Sequence, residues 1–267
     1  MSPARRLTIL GCGSSAGVPR LAEGWGACDP ENPKNRRQRC SVMIEQGFAG
    51  NWTQVLVDTG VDCKNQLVGE DVQHLDGVVY THPHADHLHG LDDLRPLAIR
   101  HRKRVDVYMD ADTSRRAHEA FGYCFVTPEG SNYPPILEEH RIEDGRPFSV
   151  PGAGGALPFI PFSVDHGDIR ALGLRIGDLV YLPDVKRVEE SALDAMRGAR
   201  ILIVDALRDR EHVSHFNVRD ALALIDAVKP ERAALTNLHI DLDYAELLGR
   251  CPPGVEPAYD GMVFEGF

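Results

Sequence analysis

The sequence lacks the features that mark secreted and membrane-bound proteins. Its six cysteines include no Cys-x-x-Cys pair, so a small disulfide-stabilised scaffold is not expected. No apolar run approaches the roughly 18 residues of a membrane span. The first apolar stretch, residues 7–10, is too short for the core of a secretory signal. We therefore expect a cytoplasmic protein with reduced thiols and no membrane contact.

Positive charge is also scarce. Lys and Arg number 29 against 40 Asp and Glu, which leaves a net charge of −11 across 267 residues. Proteins that bind long nucleic acids present a basic face, so no such partner is expected. Histidine, in contrast, is abundant, with 12 His against 9 Phe and 2 Trp. That excess is the first indication of metal chemistry.

No internal repeat and no linker rich in Pro, Gly or Ser divides the chain, so we expect one domain over residues 1–267. Short apolar runs rich in β-branched residues predict strands, and amphipathic segments between them predict helices. Such an α/β pattern, in two blocks, predicts two facing sheets flanked by helices, a four-layer αββα sandwich. The predicted strands are 7–10, 42–44, 55–57, 78–80, 105–108, 159–164, 172–176, 179–182, 201–204 and 233–235; the predicted helices are 110–121, 187–196, 218–227 and 242–248.

Local signals define some of these elements more closely. Asn217 is a predicted N-cap for the helix over 218–227, and Asp220 three residues on forms a variant of the capping box. Gly177-Asp178 joins two apolar runs in the manner of a hairpin turn. The stretch 145–158 fits neither pattern and is predicted to be a surface loop.

A histidine-rich motif follows the strand predicted over 78–80. Residues 82–87 read His-Pro-His-Ala-Asp-His, which is the pattern H-x-H-x-D-H. Alternate residues of an extended chain point the same way, so His82 and His84 can bind one cation together. Asp86 and His87 come where the chain must turn toward a helix, and they can face a second cation. Imidazole and carboxylate ligands suit Zn²⁺, Mn²⁺ or Fe²⁺ rather than Ca²⁺.

Three further ligand candidates lie just beyond other predicted strands. They are His166, Asp184 and His239. Taken singly, such residues are commonly capping or surface groups. One six-residue loop cannot complete two coordination spheres, however, so ligands from other strand ends are expected. Together with the upstream motif, the three residues predict the rest of a metal site.

With these residues in place, the sequence resembles the metallo-β-lactamase superfamily. The H-x-H-x-D-H loop, a lone His, a lone Asp and a late His follow in that order, and Asp58 in Val-Asp-Thr-Gly matches the Asp that supports the metal loop from behind. Three blocks resemble the PhnP type, the phosphoribosyl cyclic phosphodiesterases related to ribonuclease Z. These blocks are Gly-Cys-Gly-Ser-Ser-Ala-Gly-Val-Pro at 11–19, Lys-Asn-Arg-Arg-Gln-Arg-Cys-Ser at 34–41 and Tyr-Asp-Gly-Met at 259–262.

The resemblance implies two divalent metal ions, Mn²⁺ or Zn²⁺, and a set of residues that hold them. The implied ligands are His82, His84 and His166 for the first ion, Asp86 and His87 for the second, and Asp184 as a bridge. His215 falls where the family has a histidine beside the scissile phosphate, and His215 and Asp86 are the expected catalytic residues. The position of His215 two residues before Asn217 agrees, because a helix N-terminus with a nearby imidazole suits a phosphate.

The sequence departs from the family pattern in two places. The family's last metal-binding His aligns with Asn237, and His239 lies two residues further on. If the chain is extended there, both side chains point the same way, so we expect His239 to complete the ligand set, with Asn237 or a vacant position as the alternatives. The family's structural zinc uses a cysteine cluster and a late His, of which Cys28 alone remains, with Ile240 at the His position. No structural zinc is expected, and the loop over 25–33 must be held another way or be mobile.

The implied activity is hydrolysis of a small phosphodiester, a cyclic ribose phosphate or a nucleotide, by a hydroxide that bridges the two metals. Protonated His215 would support the phosphate or donate a proton to the leaving oxygen. The alternatives are another hydrolase of the superfamily (for a thioester, a lactone or a tRNA 3′ end), a mononuclear iron dioxygenase, and a non-hydrolytic metal-binding protein of cofactor biosynthesis similar to PqqB. The family tends to dimerise, so a homodimer is a further expectation. The basic run of Lys34, Arg36, Arg37 and Arg39 is either a solvated face or a means of attracting anionic substrate.

Overall fold

Fourteen strands and seven α-helices make up the regular structure of the computed structural model, which describes residues 4–48 and 50–267. The strands are β1 (Ala4–Gly11), β2 (Ser41–Phe48), β3 (Asn51–Val57), β4 (Gly77–Val79), β5 (Val105–Met109), β6 (Leu137–Arg141), β7 (Phe148–Val150), β8 (Leu157–His166), β9 (Ile169–Ile176), β10 (Leu179–Leu182), β11 (Ile201–Asp205), β12 (Arg232–Thr236), β13 (Val255–Pro257) and β14 (Val263–Glu265). The helices are α1 (Cys63–Gly69), α2 (Ala85–Leu88), α3 (Arg95–His101), α4 (Ala111–Phe121), α5 (Glu190–Met196), α6 (Val218–Val228) and α7 (Tyr244–Arg250), with 3₁₀ helices at Pro33–Asn35, Leu91–Leu94 and Gly122–Cys124. In the part of the chain that the structure describes, no helix has the length and apolar character needed to cross a membrane.

The strands form two seven-stranded sheets, and each sheet is antiparallel on one side and parallel on the other. The first has the order β14-β1-β2-β3-β4-β5-β6, and its strands from β3 to β6 are parallel. The second has the order β13-β12-β11-β10-β9-β8-β7, and its strands from β10 to β13 are parallel. The carboxyl ends of parallel strands meet at one edge of a sheet. The segments that follow β3, β4, β10, β11 and β12 therefore meet at one end of the molecule.

The two sheets pack face to face, and the helices cover their outer faces. One apolar core joins the inner faces, with Val55 and Leu7 of the first sheet in the same cluster as Leu174 and Ile203 of the second. A second cluster packs α5, α6 and α7 on the outer face of the second sheet. A third packs α1, α3 and α4 on the outer face of the first. These layers confirm the predicted αββα sandwich, a single domain.

Most predicted elements are present, with small shifts at their ends. Asn217 caps α6 in a capping box with Asp220, as predicted, and β9 and β10 form the predicted antiparallel hairpin. The predicted surface loop over 145–158 is wrong in part, because it contains β7 and the first residues of β8, paired antiparallel. A strand of three residues is too short for an alternating pattern to reveal it.

Candidate metal centre

A buried aspartate fixes the histidine loop from behind. Asp58 directly follows β3, and its carboxylate accepts hydrogen bonds from Thr81 N at 2.8 Å, Thr81 Oγ1 at 2.7 Å and His87 Nδ1 at 2.7 Å. The residue is fully buried and has a left-handed backbone with φ of 65°. Such a φ is uncommon outside glycine and is best tolerated by Asn and Asp. Asp58 thereby sets the position of the loop and the orientation of the His87 ring, the role that the resemblance implied.

Three imidazole rings have their Nδ1 nitrogens turned toward protein acceptors. These acceptors are Thr81 Oγ1 for His82 at 3.0 Å, Asp58 Oδ2 for His87 at 2.7 Å and the carbonyl oxygen of Ser214 for His166 at 2.7 Å. Since the Thr81 hydroxyl donates to Asp58, it accepts from His82. A proton on each Nδ1 leaves each Nε2 lone pair for a different partner, and this is the arrangement of metal-binding histidines.

The Nε2 atoms converge with a fourth imidazole and a carboxylate. His82 Nε2 lies 3.1 Å and His166 Nε2 3.2 Å from His84 Nδ1. Asp184, after β10, lies 3.1 Å from His87 Nε2 through Oδ2 and 3.7 Å from His166 Nε2 through Oδ1. Three groups have ligand atoms within 4.8 Å of one another, namely His82, His84 and His166; His82, His87 and Asp184; and His166, Asp184 and His215. We call these six residues the histidine–aspartate cluster.

The cluster fits a divalent cation on three grounds. First, Asp184 Oδ2 is buried and makes no hydrogen bond of acceptable geometry with the described residues, although His87 Nε2 lies 3.1 Å away, so a bound cation would supply the partner that this oxygen lacks. Second, ligands at about 2.0–2.1 Å around a tetrahedral zinc lie about 3.3 Å from each other, which is close to the separations of His84 Nδ1 from the two Nε2 atoms. Imidazole nitrogen with carboxylate oxygen is also the donor set of zinc and manganese sites.

The surroundings of the cluster keep two of its imidazole rings neutral and place negative charge around a third. Burial lowers the pKa of His82 and His166, so both rings stay neutral and keep a lone pair. Burial would also lower the pKa of His87, but the carboxylates of Asp184 and Asp58 outweigh it and hold that pKa well above its usual value. The negative charge that binds this proton is the same charge that would attract a metal ion.

A histidine and an aspartate form a dyad at the edge of the cluster. His215 Nδ1 lies 2.8 Å from Asp205 Oδ2 and 3.4 Å from Asp184 Oδ1. Burial opposes the charged form of His215, but the two carboxylates raise its pKa to about 9. Burial raises the pKa of Asp205 to about 6. His215 Nε2 has no hydrogen-bond partner among the described residues, so that side of the ring is left for a ligand.

Asp205 was missed by the sequence reasoning, although a signal for it exists. The residue ends β11, is fully buried, and its Oδ2 also accepts a hydrogen bond from Val185 N at 3.1 Å. It ends a run of four apolar residues, much as Asp184 follows the apolar run of β10. The criterion that selected Asp184, a carboxylate at the end of a buried strand, applies to Asp205 equally well.

The other predicted site residues lie at different distances from the cluster. Asp86 lies at its rim, with Oδ2 3.6 Å from His87 Nε2. His239 is not brought to the cluster, and its expected role as a ligand needs correction. Its Nε2 is 2.7 Å from Arg20 Nη1, and its Nδ1 is 3.2 Å from Asp241 Oδ2. Both ring nitrogens therefore have protein partners.

Asn237 lies where His239 was expected. Its Nδ2 is 3.0 Å from Asp184 Oδ1 and 3.2 Å from His215 Nδ1. The reason is the backbone: Asn237 has φ of 61°, in the left-handed region. The chain is therefore not extended there, so residues 237 and 239 do not point the same way.

A second buried polar group lies next to the loop for which no structural zinc was expected. Arg37 is 1% exposed, and its guanidinium donates to the carbonyl oxygens of Leu242 at 2.8 Å and His239 at 3.3 Å and to Asn35 Oδ1 at 3.1 Å. Asn35 Nδ2 in turn donates to Asp243 Oδ2 at 2.6 Å. We call Asn35, Arg37 and Asp243 the Arg37 network. It ties residues 35–37 to residues 239–243, so Arg37 is not part of a solvated face.

Comparisons with known proteins identify a matching family domain and several similar proteins. The beta-lactamase superfamily domain matches residues 53–240. The crystal structure of a new diphosphatase from the PhnP family is similar, with a TM-score of 0.89 and 32% identity over 100% of this chain and 98% of that chain. Zn²⁺-bound PqqB from Methylobacterium extorquens shares the fold, with a TM-score of 0.72 and 18% identity over 97% of this chain and 99% of that chain. An octanoyltransferase from Porphyromonas gingivalis is 30% identical over 262 residues, 96% of this chain, but the chain spans only 51% of that protein's length.

Proposed function

The chain belongs to the metallo-β-lactamase superfamily and is similar to its PhnP branch, and we propose that it hydrolyses a small phosphodiester or diphosphate, such as a cyclic ribose phosphate or a nucleotide. The similarity to a PhnP-family diphosphatase along the whole chain supports a phosphorus–oxygen bond as the target. The metal-compatible cluster supports a hydrolase of the superfamily's usual kind. The homodimer and the cytoplasmic location expected from the sequence stay predictions.

The dyad of Asp205 and His215 is the observation that carries this proposal. The hydrogen bond from His215 Nδ1 to Asp205 Oδ2, at 2.8 Å, fixes the ring and leaves Nε2 for a ligand beside Asp184. Hydrolysis of a phosphoric ester requires a proton for the leaving oxygen, and an oriented imidazolium can donate it. Asp205 stabilises the positive charge of the ring and keeps it correctly oriented.

The metal ions would be held by the histidine–aspartate cluster without His215, which belongs to the dyad. The proposed ligands are His82, His84, His87, His166 and Asp184, with Asp86 at the rim as a further ligand, for two ions of Mn²⁺ or Zn²⁺. Divalent ions bound there would supply Lewis acidity toward the phosphoryl oxygens and a water nucleophile at neutral pH. Asp58, Thr81 and the carbonyl group of Ser214 hold the rings in the required orientation.

The test compares His215→Ala with wild-type protein in the metal-dependent hydrolysis of bis(p-nitrophenyl) phosphate. We expect turnover to fall by about 10²–10⁴-fold while the metal content per chain is unchanged, because loss of a general acid removes about that factor. His118→Ala is the matched control, since His118 is exposed on α4 and pairs with Glu139. Unchanged turnover in His215→Ala would show that the dyad does not act on the substrate.

The metal content per chain and the hydrolytic activity of the purified protein distinguish this proposal from the alternatives. About two metal ions per chain with diester hydrolysis would support it. One iron per chain without hydrolysis would favour the dioxygenase. Metal binding without any hydrolysis would favour the cofactor-biosynthesis protein. An octanoyl thioester is a further substrate to assay because of the similarity to an octanoyltransferase. Cleavage of that thioester with no action on phosphoric esters would contradict the phosphodiesterase proposal and favour a thioester hydrolase.

A further inference from the structure

A groove lies beside α3, the helix that packs on the outer face of the first sheet. Two cavities, of about 480 and 290 Å³, separate this helix from the chain segment 122–136. Ile99 and Pro134 line the first cavity, and Tyr123 and Tyr133 line the second. The cavities are neighbours, because Tyr133 and Pro134 are consecutive residues. We call the two cavities together the α3 groove.

Hydrogen bonds within the chain hold the wall that faces α3. Ile136 N donates to the carbonyl oxygen of Cys124 at 2.8 Å, and Val105 N donates to the carbonyl oxygen of Ile136 at 2.9 Å. Thr127 Oγ1 donates to the carbonyl oxygen of Tyr133 at 3.0 Å. The segment is thereby tied to itself and to the start of β5. The groove is therefore a formed feature of the fold, as binding sites usually are.

The groove presents large apolar side chains to solvent. Tyr133 is 76% exposed and Ile99 67%, and Tyr123 is exposed as well. Val126, in the same segment, is a fourth exposed apolar residue. Single exposed apolar residues are common on protein surfaces, but a group of them in one place marks an interaction site.

The first cavity lies at the opposite end of the first sheet from the histidine–aspartate cluster. Arg104 and Ile136, which both line it, directly precede β5 and β6, so the cavity is at the amino ends of these parallel strands. The histidine loop follows the carboxyl end of β4, which is parallel to β5. The groove is therefore separate from the metal centre, and its ligand is not the substrate.

Positive charge borders the first cavity. Residues 100–104 read Arg-His-Arg-Lys-Arg, and the last three of them line the cavity. Lys103 and Arg104 are paired with Asp106 and Glu138, each at 2.9 Å. The exposed side chain of Arg102 forms no ion pair and no hydrogen bond within the described residues. In a chain of net charge −11, this run offers an unpaired cation next to an apolar groove.

We propose that the α3 groove binds an acidic peptide segment of a partner protein, with apolar side chains in the two cavities and a carboxylate on Arg102. An apolar groove with a cationic border is complementary to a segment that combines acidic and apolar residues. The arrangement disfavours a second copy of this chain, because a two-fold axis through the groove would place residues 100–104 against themselves. It also disfavours single-stranded nucleic acid, which stacks on rows of aromatic rings, since aliphatic and proline side chains line the first cavity.

The test is a selection of random dodecapeptides displayed on phage, with metal-loaded wild-type protein as the bait and Ile99→Asp protein for counter-selection. The enriched peptides should combine Asp or Glu with Leu, Phe or Trp. The most enriched peptide, synthesised with a fluorescent label, should bind Ile99→Asp and Arg102→Glu at least about 10-fold more weakly than wild type, the loss typical of a central interface residue. Fluorescence anisotropy measures these affinities.

Two matched variants control for exposed apolar and charged positions elsewhere. Val68→Asp changes an exposed apolar residue of α1, and Arg197→Glu changes an exposed arginine that follows α5. Both should bind the peptide as wild type does. Arg102→Glu replaces one exposed side chain that has a Cβ by another, so it tests the groove even if Ile99→Asp does not fold. Metal content and diester hydrolysis of Arg102→Glu should equal those of wild type, because the groove is separate from the metal centre.

Other outcomes would overturn the proposal. No enrichment, enriched peptides without acidic residues, or equal affinity of Arg102→Glu and wild type would show that the groove does not bind acidic segments. Binding of a labelled oligouridine that Arg102→Glu abolishes would make the ligand a nucleic acid. Self-association in sedimentation velocity that Ile99→Asp abolishes would make the groove an interface between copies of this chain.

Discussion

The histidine–aspartate cluster and the Arg37 network are both polar and largely buried, but their internal contacts differ. In the cluster, imidazole nitrogens face each other at 3.1 and 3.2 Å, and Asp184 Oδ2 has no hydrogen bond within the described residues. In the network, each donor of Asn35 and the terminal nitrogens of Arg37 meet oxygen acceptors within 3.3 Å. A buried polar group without a partner costs about 1–3 kcal/mol. Although Arg37 Nε is also buried without a partner among the described residues, the other donors of the network are satisfied from within the chain, whereas the cluster brings together imidazole nitrogens that need a ligand from outside it.

The strongest test of this contrast is Asp184→Asn, which removes the negative charge next to His87 and His166. We expect metal content and turnover to fall by more than about 100-fold, since even residues that only support a metal ligand contribute about 10–100-fold. The rise in melting temperature that added Mn²⁺ or Zn²⁺ gives wild-type protein should be lost as well. Asp168→Asn is the control, because Asp168 is an exposed residue close to His166 in sequence. Full metal binding by Asp184→Asn would mean that the cluster does not depend on this carboxylate.

The converse test is Arg37→Met in the Arg37 network. The free energy of unfolding should fall by about 3 kcal/mol, because the buried carbonyl oxygens of His239 and Leu242 lose their charged donor. Metal content per chain should stay as in wild type, since Arg37 contacts no member of the cluster. Arg36→Met offers a close control, as Arg36 is exposed and lies over the Trp25 ring. Urea denaturation measures the difference, and loss of metal without loss of stability would contradict the assigned roles.

The sequence was informative where local pattern and chemistry agreed. The alternation of residues in the H-x-H-x-D-H motif and the position of Asp184 beyond a buried strand indicated that the motif and Asp184 lie at the same end of the sandwich. Two blocks of strands with helices between them were enough to predict the four layers. The match of Asn217 and Asp220 to a capping box placed the start of α6 correctly.

The structure differs from the expectations for Arg37 and His239 for physical reasons that no local sequence pattern reveals. Arg37 stands in a run of basic residues, and its partners are backbone carbonyl groups some two hundred positions away in sequence. Such partners have no side-chain signature, so a buried arginine cannot be distinguished from a solvated one by sequence. The prediction for His239 failed because it assumed an extended chain, and the left-handed backbone at residue 237 turns the chain before it reaches residue 239.

Asn237 lies between the histidine–aspartate cluster and the Arg37 network. A pair of variants at this residue should give the smallest and most specific effects on turnover and stability. Its amide contacts Asp184 and His215, and two residues later the carbonyl of His239 accepts from Arg37. Asn237→Gly removes the amide but suits a φ of 61°, whereas Asn237→Ala keeps a Cβ in the left-handed region without the polar side chain that helps Asn to adopt it.

Both variants should lower turnover by about 10-fold, the smaller end of the range for groups that orient metal ligands. Asn237→Ala should in addition be less stable than Asn237→Gly by about 1 kcal/mol, the cost of a left-handed backbone for a residue with a Cβ. Denaturation in urea and steady-state assays separate the two effects. If the two variants are equally stable, the segment relaxes to another backbone conformation, and residue 239 is then free to turn toward the cluster. If the two variants also keep wild-type turnover, the Asn237 amide has no part in holding Asp184, and the cluster and the Arg37 network are independent of each other at this point.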